Sequence, residues 1–157
     1  MLLSLFETLE ASMVGAAVRD SLWLFPVVEA FHLIGLAVIG GAILIVDCRL
    51  LGIGLRSQPA GRLARDVRPW VLGSLGLMIV TGIPLFLSEA IKCYYSVAFW
   101  IKMVALVAAA LFTFTVRQRV ALAPEGRFSP AWSRAVGAIS IGLWSIVGWG
   151  GRWIGFS

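Results

Sequence analysis

Four apolar runs, at 22–46, 70–87, 97–116 and 135–149, divide a chain of 157 residues. Each approaches the roughly 20 residues that cross a hydrocarbon core of about 30 Å. The fourth reaches that length by continuing to 153. Such runs leave little for a soluble fold to build on. Only 13% of the residues are charged and 60% are hydrophobic, and the mean hydropathy is +0.94. A soluble domain this small has much surface to cover with water-compatible groups, and this composition cannot supply them. The sequence therefore predicts an all-α integral membrane four-helix bundle as a single transmembrane domain over 1–157.

The net charge is +5. The basic residues sit between the apolar runs, where they set membrane topology. They form no basic stripe with interleaved aromatics, so nucleic acid is not an expected partner. Arg49, Arg56, Arg62, Arg65 and Arg68 lie between runs one and two, and Arg117, Arg119, Arg127 and Arg134 lie between runs three and four. Arg19, Lys92, Lys102 and Arg152 fall on the other side. The excess places both Arg-rich links in the cytoplasm, with the N and C termini outside, on the periplasmic side of a bacterial inner membrane. The segment LRSQPAGRLARDVRP is expected to be solvated or to face lipid headgroups. Cys48 and Cys93 fall about a membrane thickness apart, too far to form a disulfide within one chain.

The first residues carry Leu3, Phe6, Leu9, Met13 and Ala16 at helical spacing, with Glu7, Glu10, Ser12 and Arg19 between them. This predicts one short amphipathic helix at 3–19 lying in the interface, ended by a break and cap at Arg19-Asp20-Ser21. It lacks the basic start of a standard cleaved signal peptide. Pro26 suits the first turn of the first span, and Ser129 before Pro130 suits the start of the last. Pro84 is expected to kink the second span, with Thr81 satisfying the freed carbonyl.

Each span has one stripe of small or polar residues. The stripes read Glu29, His32, Leu36, Gly40, Ile43 and Asp47; Ser74, Met78, Thr81 and Leu85, ending near Glu89; Ala98, Lys102, Ala105 and Ala109; and Gly137, Ile141, Ser145, Gly148 and Arg152. Lipid-embedded helices pack through such faces. Counting depth along the spans, Glu29, His32, Glu89, Lys102 and Arg152 should converge in the outer half, with Glu29 paired to Lys102. Ionisable groups at membrane depth are functional suspects. Imidazole is a common axial ligand of bundle haems, which makes His32 a candidate haem iron ligand, with Lys102 and Arg152 toward the propionates. As the chain has one histidine, a sixth ligand would come from Met103, Met78, the His32 of a second subunit, or nothing.

Two other readings use the same residues. Glu29 and His32 can relay protons, or Glu29, His32 and Lys102 can form a structural polar cluster. Half of a di-metal Glu-x-x-His motif is present, but it lacks a second His. Five of the seven tryptophans fall at span ends, as in an aromatic belt. There is no phosphate-binding Gly-rich loop and no nucleophile elbow, so no catalytic residue stands out. Ala37 and Gly41 would permit helix contact in a homo-oligomer.

The segments WLFPVVEAFHLIGLAVIGGAILIVDCRLLG, TGIPLFLSEAIKCYYSVAFWIKM and GRWIGF together resemble a group of small, functionally uncharacterised bacterial inner-membrane proteins with four helices. More distantly, the first is similar to the membrane part of copper-resistance D-type proteins. The resemblance implies that Glu29, His32, Asp47, Arg49, Glu89, Lys102 and Arg152 belong to a family pattern, and the copper-resistance analogy implies copper or haem handling. The chain lacks the Met- or His-rich cluster that soft copper sites favour, which sets copper aside. The leading expectation is a small redox-type subunit with b-type haem as the one cofactor. The alternative is a non-catalytic subunit that anchors or assembles a larger complex. Either would work in the bilayer as a homo-oligomer or a complex subunit.

Overall fold

The computed structural model describes residues 1–55 and 57–155. Arg56, one of the basic residues used above for topology, and Phe156, at the end of the last resemblance segment, lie outside the described residues. The described chain is all-helical, with seven helices among these residues where four spans and one interfacial helix were expected. They are α1 (Leu2–Glu10), α2 (Met13–Asp20), α3 (Leu24–Leu51), α4 (Ala60–Ser88), α5 (Ala90–Tyr95), α6 (Val97–Leu122) and α7 (Pro130–Ile154). Within α6, a wider π-turn occupies Thr113–Arg117.

Three helices, α3, α4 and α6, are long and apolar enough to cross a membrane, with hydropathies of 2.2, 2.0 and 2.1 over their most apolar stretches. Only 17% of that stretch of α6 is buried inside the chain, so most of its apolar surface faces outward. Val104, Val107 and Leu111 are all exposed. A contiguous exposed apolar surface of this kind needs lipid or protein against it. The fourth long helix, α7, has 25 residues, but Gly, Ser and Trp dilute its apolar character.

The long helices alternate in direction. α3 lies between α4 and α7, α6 packs along α7, and α4 meets the last turns of α6 at the Arg-rich end. Ile39, Ile43, Val71, Met78, Ala105, Ala109, Trp144 and Val147 fill the centre. The helices run further than the apolar runs. α4 begins ten residues before position 70, so Arg62, Arg65 and Arg68 are helical rather than loop. Only Gly61 and Pro69 in that stretch oppose helix, and α4 runs through both Pro69 and Pro84. The Thr81 hydroxyl bonds the Leu77 carbonyl at 2.7 Å, not the Val80 carbonyl that Pro84 frees.

The N-terminal segment differs from the single interfacial helix expected. It is two helices, because Ser12 caps α2 by accepting from Gly15 N at 3.2 Å. Both dock on the end of the bundle. Phe6 is buried against the rings of Phe86, Tyr94 and Trp100. Gly15 passes so close to α4 that a Cβ there would lie 2.5 Å from the Leu87 carbonyl oxygen. Glu10 Oε2 accepts from Ile91 N at 2.6 Å, which ties α1 to the first turn of α5. Ser21 and Ser129 cap the starts of α3 and α7 by accepting from Leu24 N and Trp132 N.

Candidate functional site

Two polar centres interrupt the apolar interior. The first contains His32. Thr81 gives its only hydroxyl proton to Leu77 O, so at 2.9 Å from His32 Nδ1 it can only accept. With the Thr81 hydroxyl so engaged, the arrangement suits the tautomer that donates from Nδ1 and leaves the Nε2 lone pair available. The ring approaches α4 closely because residue 82 is glycine; a Cβ there would sit 3.2 Å from His32 Cε1. Lys102 is close enough to act electrostatically on both His32 and Cys93. Its stem runs along two glycines of α7: a Cβ on Gly150 would lie 3.0 Å from Lys102 Cβ, and one on Gly151 would lie 3.3 Å from Nζ.

Other residues expected at this centre are placed differently. Glu29 is exposed, as is Arg152. Four residues on a helix subtend about 40°, so Glu29 follows the exposed Leu33 rather than His32. Among the described residues no ion pair joins Glu29 to Lys102. Glu89 instead pairs with Lys92 at 3.9 Å on the surface. Met103 is 38% exposed on the outer face of α6 and does not face His32. Met78 lies inward, in the apolar core. Cys93, on the short α5, is buried, and burial together with the Glu89 carboxylate pushes its thiol up to about 11. Cys48 and Cys93 are both free thiols.

The second centre is more deeply enclosed, and sequence reasoning had treated its arginine as a loop residue. Arg117 Nε donates to Asp47 Oδ1 at 2.5 Å, and Arg117 Nη2 donates to Ile43 O at 3.0 Å. Their side chains are 3% and 0% exposed. Ser140 approaches the same carboxylate from α7. By strict geometry, however, Ser140 Oγ and Asp47 Oδ2 are left without a bond among the described residues. Gly137 makes this approach possible, since a Cβ there would meet Asp47 O at 3.0 Å. One turn away, Trp144 Nε1 donates to Thr113 Oγ1 at 3.0 Å.

The π-turn aims Arg117 inward. Ala105, Ala109, Thr113 and Arg117 are all buried at intervals of four. On a straight helix each such step drifts by about 40°, which would carry Arg117 around toward lipid. The wider turn at Thr113–Arg117 removes the drift of the last step. The run of fours was a readable signal for Arg117, but the count of basic residues hid it. On α7 the buried positions are Val136, Gly137, Ser140, Trp144, Val147 and Gly150. The inward face is thus rotated from the expected stripe through Ile141, Ser145 and Arg152.

A match over 5–157 places the chain: the profile there is that of a family of unknown function, DUF6644. The chain belongs to this family. No curated protein and no solved structure matches it.

Chemically, the two centres stand apart. His32 and Asp47 are separated by about 22 Å along α3, with Ile39, Ile43, Met78 and Val147 packed between. Among the described residues no group of three or more His, Cys, Asp and Glu side chains is placed to hold a metal ion. His32 is the histidine able to offer a nitrogen lone pair, and it lines neither the cavity of about 550 Å³ beside Gly35, Trp70 and Ser74 nor the one of about 590 Å³ at the Arg-rich end.

Proposed function

We propose that this member of DUF6644 is a non-catalytic, multi-pass subunit of the bacterial inner membrane that anchors or assembles a larger complex. In this reading all four long helices cross the bilayer, with the Arg-rich end cytoplasmic and both termini periplasmic. What supports it is the way the interior polar groups are used. Arg117 is bonded to Asp47 and Ile43 O, His32 to Thr81, and Trp144 to Thr113. Each bond ties two long helices together and fixes their register. The layer between the centres is built largely of Ile39, Ile43, Met78 and Val147, which favours a structural role over a transmembrane proton relay.

One observation favours a second reading, a b-type haem on His32. Metal-ligating histidines nearly always give their other N–H to an acceptor, and Thr81 holds Nδ1–H in that way. Lys102 is at the same end to meet propionates, and the haem would supply one-electron chemistry. Against it, Met103 is on the outer face and Met78 is packed in the apolar core, so a second ligand from Met103 is disfavoured and Met78, another copy or none would remain. The two readings separate by pyridine haemochrome on wild type and His32→Ala purified in mild detergent. The subunit reading expects no haem in either and a detergent-solubilised assembly larger than one chain. Haem present in wild type and lost in His32→Ala overturns it.

A further inference from the structure

The Arg-rich end of the bundle forms an open cavity of about 590 Å³, bordered by the starts of α4 and α7 and the ends of α3 and α6. Arg49, Arg62, Arg65 and Arg134 line it, against one carboxylate, Glu125. Two of these arginines are already engaged. Arg49 Nε donates to Gln58 O at 2.7 Å, and its guanidinium faces Glu125 at 3.5 Å. Arg62 leans on Asp66 at 3.9 Å. Among the described residues, no carboxylate lies within 4.0 Å of Arg65 or Arg134. Two guanidiniums of like charge thus border one cavity without a counter-ion from the described chain.

The backbone adds to the same sign. α4 starts at Pro59 with no side-chain cap, so its first N–H groups and the positive end of its dipole meet the cavity. The start of α7, at Pro130, meets it from the other side. α4 can begin here because Gly61 lets it pass close to the end of α6; a Cβ on Gly61 would lie 3.3 Å from Ala121 O. Trp70 and Trp132 are exposed at this end, the position that tryptophan takes at the headgroup level.

We propose that this cavity binds a phosphate group, held between Arg65 and Arg134, from an anionic phospholipid headgroup or from free phosphate. Guanidinium forks match phosphate oxygens in geometry and charge. Basic pockets between helices at the cytoplasmic face are suited to such headgroups. This goes beyond the subunit reading and stands whether or not a haem is bound.

The test uses the full chain in detergent, titrated with phosphatidylglycerol, with phosphatidylcholine, and with inorganic phosphate, and read by native mass spectrometry. Phosphatidylglycerol should bind saturably at one per chain, with phosphatidylcholine much weaker. Arg65→Gln and Arg134→Gln should each weaken it about fivefold, the scale of one basic residue at an anionic surface. Arg68→Gln removes the same charge from α4 outside the cavity and should leave it unchanged. If inorganic phosphate alone binds, with the same dependence on Arg65 and Arg134, the source is free phosphate and the site stands. Absence of binding by phosphatidylglycerol and phosphate in wild type overturns the proposal. So does equal weakening by Arg68→Gln, which would mean diffuse attraction rather than a site. Arg65 and Arg134 are exposed, so these substitutions leave the packing intact.

Discussion

Consider removing Arg117. Its guanidinium makes two bonds, to Asp47 Oδ1 and to Ile43 O, in a place where water cannot replace them. Arg117→Met keeps most of the volume and leaves the Asp47 carboxylate with Ser140 as its one polar neighbour. Breaking a buried pair from one side typically costs about 3–5 kcal/mol. Asp47→Leu should cost as much, because Arg117 would retain only a carbonyl. The double variant leaves neither charge, and well-packed apolar replacements of a buried pair are often close to neutral. At about 2–4 °C per kcal/mol for a chain of this size, each single change should lower the melting temperature in detergent by about 6–20 °C. The double variant should fall less than either. The assay is thermal unfolding followed by tryptophan fluorescence, which Trp144 beside the centre should report. Losses that add within about 0.5 kcal/mol would refute the coupling and with it the view that this pair sets the α3–α6 register.

Gly15→Ala places a Cβ 2.5 Å from Leu87 O, a backbone atom; it should loosen α1 and α2 by about 1–3 kcal/mol and speed proteolysis within residues 1–20, whereas an unchanged cleavage rate would mean that these helices do not dock. For Cys93, the thiolate is the reactive form and the thiol is pushed up to about 11. In a Cys48→Ser background its alkylation should therefore rise about tenfold per pH unit between about pH 8 and 10, and a plateau near pH 9 would contradict this. In intact cells a membrane-impermeant thiol reagent should leave Cys48 unlabelled if the Arg-rich end is cytoplasmic, and labelling of Cys48 alone would reverse the orientation.

The sequence exposed the helical faces unevenly. Ser74, Met78 and Thr81 on α4 and Ala105 and Ala109 on α6 are buried as their spacing implied, because small and polar residues in an apolar helix have few other uses. α7 misled because it carries small residues on several sides, so Gly148 and Ser145 matched a stripe as well as Ser140 and Trp144 did. Glu29 misled because a spacing of three was read as one face, although it leaves the two side chains about 60° apart. Arg117 was hidden by its position among the link arginines, and Arg62, Arg65 and Arg68 looked like loop because hydropathy marks where lipid ends rather than where a helix ends. The N-terminal pair of helices was legible only in its periodicity; Gly15 against Leu87 depends on a close approach that a linear pattern does not encode.

The Asp47–Arg117 pair also bears on how such a chain enters a membrane. The two residues are 70 positions apart, so the acid emerges from synthesis well before the base. An arginine at membrane depth is among the costliest side chains to insert, and α6 carries one that is paired, among the described residues, with Asp47 on α3. With the carboxylate already in the bilayer, the last turns of α6 have a waiting counter-charge, and their entry can be driven by pairing as well as by hydropathy. A chain whose α3 carried leucine at position 47 would therefore be expected to insert α6 less efficiently, so that less protein reaches the membrane, in addition to the lower melting temperature of the molecules that do fold.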